Sequence, residues 1–244
     1  MGAWRLDPVP RSPQGAHVMS IASALASVLS RIRAAEERAG RTPGSARLLA
    51  VSKTKPASAI REAYAAGQRA FGENYVQELV EKAKELADLP GLELHMIGHL
   101  QSNKAKQIAG LVASVQTVHD AGIARELGKR AAPSSRVLPV LIEVNVGGEE
   151  QKHGTTPEGL DAVVAAVRAE PALRLTGLMT VPPHTDDPEG ARPYFRRLRE
   201  LRDAHGGAAL LPELSMGMTH DLEIAVEEGA TIVRVGTAIF GERG

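Results

Sequence analysis

The chain has 244 residues, 43% of them hydrophobic, and its 29 basic side chains match 29 acidic ones, a composition that fits one globular domain with a substantial core. Zero net charge without a long Lys/Arg block leaves no electrostatic footprint for nucleic acid, and no apolar stretch approaches the roughly 20 residues of a bilayer span. With no cysteine in the chain, disulfides and thiolate chemistry are excluded, and a reducing cytoplasm fits that usage.

Residues 1–19 combine three prolines with small polar residues and lack the apolar segment of a signal peptide, so they read as a loose tail ahead of one domain over 20–244. A first helix starts at Ile21, where Ile21, Leu25, Val28, Leu29 and Ile32 share a face, and stops at Gly40. Eight apolar, β-branched runs follow: RLLAVSK (47–53), AFGEN (70–74), LELHMIGH (92–99), SVQTV (114–118), VLPVLIEVNV (137–146), RLTGLMTV (174–181), ELSMGM (213–218) and TIVRVG (231–236). Helical segments separate them. One is expected to open at Thr156 as N-cap with Pro157 in its first position and Leu160, Val163, Val164 and Val167 on its buried face; another repeats the device with Asp187 and Pro188. Eight β/α units, with most strands apolar on both faces, predict a single (β/α)8 barrel with an extra N-terminal helix; an open doubly wound sheet is the alternative.

Strand parity then sorts side chains between helices and barrel axis. In the fifth run Leu138, Val140, Ile142, Val144 and Val146 form the apolar outer face, which turns Leu141, Glu143 and Asn145 inward. In the eighth, Val233 and Val235 face out, and Ile232, Arg234 and Gly236 face in. Lys53 shares a side with Leu49 and Val51 at the end of the first run, on the rim where barrel enzymes place their chemistry. A solvated lysine and an Arg234–Glu143 ion pair are the purely structural alternatives.

Barrels commonly bind phosphate with the loops after strands 7 and 8. Here those loops carry Ser215, Gly217 and Thr219, then Gly236 and Thr237: small residues that admit an anion close to backbone, and hydroxyls that donate to it. An amine opposite a phosphate cup suits a phosphorylated aldehyde, either pyridoxal phosphate or a sugar phosphate. His95, His99, His119 and His153 form no familiar metal-ligand spacing, so no metal is expected. Lys55, Lys104 and Lys152 read as rim amines able to attract an anion.

The motifs AVSKTKP, FGENYVQE, HMIGHLQSNK, SVQTVHD, EVNVGGEEQKHG, GLMTVPP and LSMGMTHDLEIAVEEGATIVRVGTAIFG resemble, in order and spacing, the pyridoxal phosphate homeostasis protein family, from about Ile21 to Gly241. That family is similar in fold to the N-terminal barrel of alanine racemase. The resemblance implies pyridoxal 5′-phosphate held covalently as an aldimine on Lys53, with Asn74 at the ring edge and Ser215, Gly236 and Thr237 on the phosphate. It also implies Arg234 facing the pyridine nitrogen, and it adds Met179, Met216, Gly217, Asn145 and His99 to the cofactor-binding set. A cationic Arg234 disfavours protonation of the ring nitrogen and makes the ring a weaker electron sink. The expected function is therefore a non-catalytic, monomeric, cytoplasmic carrier or regulator of pyridoxal phosphate, with apo-enzymes that use this cofactor as possible recipients and no nucleic-acid or membrane partner. The alternative is a fold-type III enzyme with weak racemase-like activity on amino acids, for which Tyr64, Tyr75 and Tyr194 are poorly placed as a second proton donor.

Overall fold

The computed structural model describes residues 19–134, 136–149 and 151–242; the tail expected over 1–19 therefore falls, except for Met19, outside the described residues. Eight parallel strands close in chain order: β1 Arg47–Val51, β2 Ala70–Glu73, β3 Glu93–Met96, β4 Ser114–Val118, β5 Leu138–Glu143, β6 Leu173–Met179, β7 Glu213–Ser215 and β8 Ile232–Val235, with β8 pairing back onto β1. This is the barrel that the eight β/α units predict, and the open sheet is excluded. The helix ahead of it, α1 Ile21–Arg38, is capped by the Ser20 hydroxyl, which accepts from the Ser23 amide at 3.2 Å. Its end is set by Gly40 at φ +62, which lets the amides of Gly40 and Arg41 turn back onto the carbonyls of Glu37 and Glu36.

Alternation along the strands builds two interiors. Leu48 and Ala50 of β1, Leu138, Val140 and Ile142 of β5, and Val233 and Val235 of β8 join the apolar layer under the helices. Leu49, Leu141, Met179 and Ile232 are equally buried but lie outside that layer, and they share parity with the buried polar Gln116, Ser215 and Arg234. These inward residues fill the axis, so the barrel is packed rather than hollow.

The remaining α-helices are α2 Ala57–Ala65, α3 Val76–Glu85, α4 Ala105–Ile108, α5 Ala121–Ala131, α6 Leu160–Arg168, α7 Arg192–Ala204, α8 Gly207–Leu210, α9 Leu222–Glu227 and α10 Thr237–Phe240. Two helix starts differ from expectation. Thr155 still bridges Val144, so the chain first makes a turn in which the Gly159 amide donates to Thr156, and α6 begins only at Leu160. Its predicted buried face, Leu160, Val163, Val164 and Val167, stands. Likewise Asp187 and Pro188 open a 3-10 turn, Pro188–Ala191, that leads into α7. Among the described residues no helix is long and apolar enough to cross a membrane.

Candidate functional site

A cavity of about 430 Å3 opens at the C-terminal ends of the strands, lined by Lys53, Asn74, Arg234, Gly236 and Thr237 of the sequence-predicted set. Met218, Thr219 and His220 complete its wall from the loop after β7. No carboxylate is among the described residues that line it, so the surface offers an amine, a guanidinium, hydroxyls and an amide: donors suited to an anion. A cavity of about 490 Å3 lies between α1 and the starts of β1 and β2. It holds none of the predicted residues and belongs to the stability face of a barrel, whereas chemistry collects at the other end.

Lys53 lies two residues past the end of β1, in a turn rather than on the strand's last position, and is half-buried. Gly236 brings β8 close to β1: a Cβ there would stand 3.1 Å from the Val51 carbonyl oxygen, so the loop opening α10 can approach the base of the Lys53 turn. Thr219 is held by Arg31 of α1, whose Nη2 donates to the Thr219 carbonyl at 2.9 Å while the same guanidinium pairs with Glu223 of α9 at 2.6 and 2.8 Å.

Arg234 is 5% exposed, and its hydrogen bonds go to Ser215 Oγ (Nη1, 2.6 Å) and the Thr180 carbonyl (Nη2, 2.8 Å) rather than to Glu143. Burial pushes its pKa down to about 10 against the opposing pull of Glu143 and Asp221, so it stays cationic near neutrality. Glu143 moves the other way: burial raises its carboxyl, opposed by Arg234, His119 and His153.

Other predicted residues occupy different places. Ser215 is fully buried in the barrel axis, accepting from Arg234 and donating to Gln116 Oε1 at 2.7 Å; it does not line the cavity. Met216 packs in the layer under the helices, and Met179 is buried in the axis. Gly217, at φ +91, lets the loop lie against α9, where a Cβ would come within 2.4 Å of that of Ala225. Asn145 holds its own loop, Nδ2 donating to the Glu149 carbonyl at 2.8 Å. The hydroxyl side chains among the described residues that line the cavity are thus Thr219 and Thr237. Of Ser215, Gly236 and Thr237, which the family resemblance implies on the phosphate, Gly236 and Thr237 line the cavity and Ser215 does not, because parity does not report depth along the axis.

His99 lines a neighbouring cavity of about 290 Å3 that shares Asn74 with the first and also contains Lys104. It stacks on His153 with ring centroids 3.8 Å apart and tilts toward His119 at 4.7 Å. His95 lies elsewhere, buried with Nδ1 2.8 Å from Ser114 Oγ. Burial first, then His153 and His119, lower the His99 pKa. In the range below its ordinary value the unfolded chain binds more protons at this position, so its contribution to stability falls as pH falls. We expect His99 to titrate below a free histidine in NMR and to move upward in His153→Gln; an unchanged midpoint would remove His153 as a cause.

Of the rim lysines, Lys55 Nζ donates to the Glu242 carbonyl at 2.6 Å, and Lys152 to the Pro182 carbonyl at 2.9 Å while pairing with Glu149.

The family model described as alanine racemase, N-terminal domain, matches residues 24–244. The pyridoxal phosphate homeostasis protein of Aquifex aeolicus is 50% identical over 227 residues, covering 92% of this chain and 99% of the relative; that of Escherichia coli strain K12 is 45% identical over 229 residues, covering 91% and 97%. Among solved structures, PipY of Synechococcus elongatus with PLP bound superposes with a TM-score of 0.78 at 38% identity, covering 91% of this chain and all of that one. An unknown protein from Bifidobacterium adolescentis gives 0.83 at 39%, covering 90% and 94%. Alanine racemase from Corynebacterium glutamicum, at 22% identity and a TM-score of 0.61, shares the fold, with 89% of this chain matching 61% of that enzyme. From barrel, cavity and kinship together, this chain belongs to the pyridoxal phosphate homeostasis protein family, within the alanine racemase N-terminal domain fold.

Proposed function

We propose that this chain binds pyridoxal 5′-phosphate and serves its homeostasis, as a holder that keeps the cofactor and yields it to apo-enzymes rather than as a catalyst. The observation that carries the reading is the convergence of the Lys53 amine, the Arg234 guanidinium and the Thr219 and Thr237 hydroxyls on one cavity with no carboxylate among its described lining residues. This donor set fits a phosphorylated aldehyde. The chemistry available is condensation of the Lys53 amine with the cofactor's aldehyde, forming a C=N bond and releasing water.

Each residue has a physical part. Lys53 attacks as the neutral amine, the form whose nitrogen carries a lone pair. Thr219 and Thr237 donate to phosphate oxygens, and Gly236 leaves room for backbone to approach them. Arg234, cationic at working pH, opposes protonation of a facing ring nitrogen and so keeps the ring a poor electron sink. Racemisation also needs a second proton donor, and none of the three tyrosines lines the cavity: the Tyr64 hydroxyl donates to the Pro90 carbonyl at 2.8 Å, Tyr75 is exposed ahead of α3, and Tyr194 is in α7. A cytoplasmic monomer suits this role.

The test is peptide mapping after borohydride reduction of the protein with pyridoxal 5′-phosphate, alongside a screen of amino acids for turnover. A pyridoxyl group on Lys53 and no turnover are expected. Label on Lys55, Lys104 or Lys152 and none on Lys53, or steady turnover of an amino acid, would overturn the reading.

A further inference from the structure

Beside Lys53 lies a buried ion cluster that the proposed binding role leaves unused. The side chains of Glu73, at the end of β2, and Lys82, in α3, are 0% and 5% exposed. Lys82 Nζ donates to Glu73 Oε1 at 2.8 Å, to Glu78 Oε1 at 2.7 Å and to the Ser52 carbonyl at 2.7 Å, which engages all three ammonium protons. The same carboxylate oxygens reach the Lys53 turn from both sides. Ser52 Oγ donates to Glu73 Oε1 at 2.6 Å, and the Thr54 amide donates to Glu78 Oε1 at 2.6 Å.

Two features argue that this is more than a fastener. A lysine is almost never buried, and desolvating its charge is costly even when it is paired, so apolar side chains would hold two elements together at least as well. Thr54 stands at φ +63, the one non-glycine residue in the left-handed region among the described residues. Such a conformation persists where the surroundings over-determine it. Its amide contact with Glu78 is one of those constraints, and Lys82 holds Glu78 in place.

We propose that Lys82, acting through Glu73 and Glu78, is a positioning residue that clamps residues 52–54 and thereby directs Lys53, rather than Lys55 of the same turn, at a carbonyl ligand in the cavity. Lys55 leaves the turn toward the Glu242 carbonyl instead. The inference rests on Lys53 being the reacting amine, and the experiment separates the two claims.

Glu78→Ala, Glu78→Gln and Lys82→Met are reduced with borohydride in the presence of pyridoxal 5′-phosphate, and the label is mapped. In Glu78→Ala the Lys53-to-Lys55 label ratio should fall about fivefold, the scale of one lost hydrogen bond, while Glu78→Gln, which keeps an acceptor oxygen, should stay within about twofold of the parent. Lys82→Met should fall further. A fastener without a positioning role would lower the melting temperature and leave the ratio alone. An unchanged ratio in folded Glu78→Ala, or Gln falling as far as Ala, overturns the proposal; these two variants decide it even where Lys82→Met does not fold. Amide exchange at Thr54 in the ligand-free protein reads the clamp by itself. It should quicken in Glu78→Ala, and unchanged exchange there sinks the clamp, whereas absence of label from Lys53 in the unmutated protein sinks the cofactor reading alone.

Discussion

Lys53→Ala is expected to abolish the borohydride-stable link to pyridoxal 5′-phosphate and the yellow colour that accompanies it, while the barrel stays folded. The first half follows from the proposed chemistry: the amine would be the nucleophile, and alanine offers none. The second follows from position. Lys53 is half-buried in a turn beyond β1, outside the packed layers, and its loss should change stability by less than about 0.5 kcal/mol. Ligand held by the hydroxyls and Arg234 alone should dissociate readily, so retention through gel filtration should drop at least tenfold, about 1.4 kcal/mol or more. Full retention of a reducible adduct by the alanine variant would show that another lysine carries it.

Arg234→Met is expected to cost about 2–3 kcal/mol of stability in urea unfolding, because two hydrogen bonds from a charged donor disappear and the Thr180 carbonyl and Ser215 hydroxyl lose a buried partner. Relief of the guanidinium's desolvation offsets part of this. The guanidinium's desolvation has a pH signature. Burial lowers the folded-state pKa to about 10, so between there and the guanidinium's ordinary value the unfolded chain holds more protons than the folded one, and stability rises with pH. Below about pH 10 the desolvation penalty is present in full, and above it the cost of the substitution should grow, because the methionine variant lacks the alkaline rise. A loss below about 0.5 kcal/mol would mean that desolvation relief cancels the hydrogen bonds and that Arg234 is retained for the ligand alone.

Much of this site was legible beforehand, for a reason visible in β5 and β8. A period of two assigns every strand residue to one face, so the sequence alone turns Leu141 and Arg234 inward and Val140 and Val235 outward. The end of a strand is equally legible, since Lys53, Asn74 and Gly236 follow the last apolar residues of β1, β2 and β8, and chain order places those ends on one rim. Depth is not. Ser215 and Thr219 are four residues apart and both carry hydroxyls, yet one is sealed in the axis against Gln116, 99 residues away, and the other lines the cavity.

The sequence by itself determined the architecture and the chemistry at hand: eight β/α units, an inward arginine, a rim lysine and small hydroxyl residues after strands 7 and 8, because periodicity and residue type are local properties. Only the tertiary structure decided which of those groups meet. The Glu73–Lys82–Glu78 cluster, the stacking of His99 on His153 and the bond from Arg31 to the Thr219 carbonyl join residues of separate elements. Such contacts depend on strand register and on the way each helix lies over the barrel, and those are set by the packing of the whole chain rather than by any stretch of it.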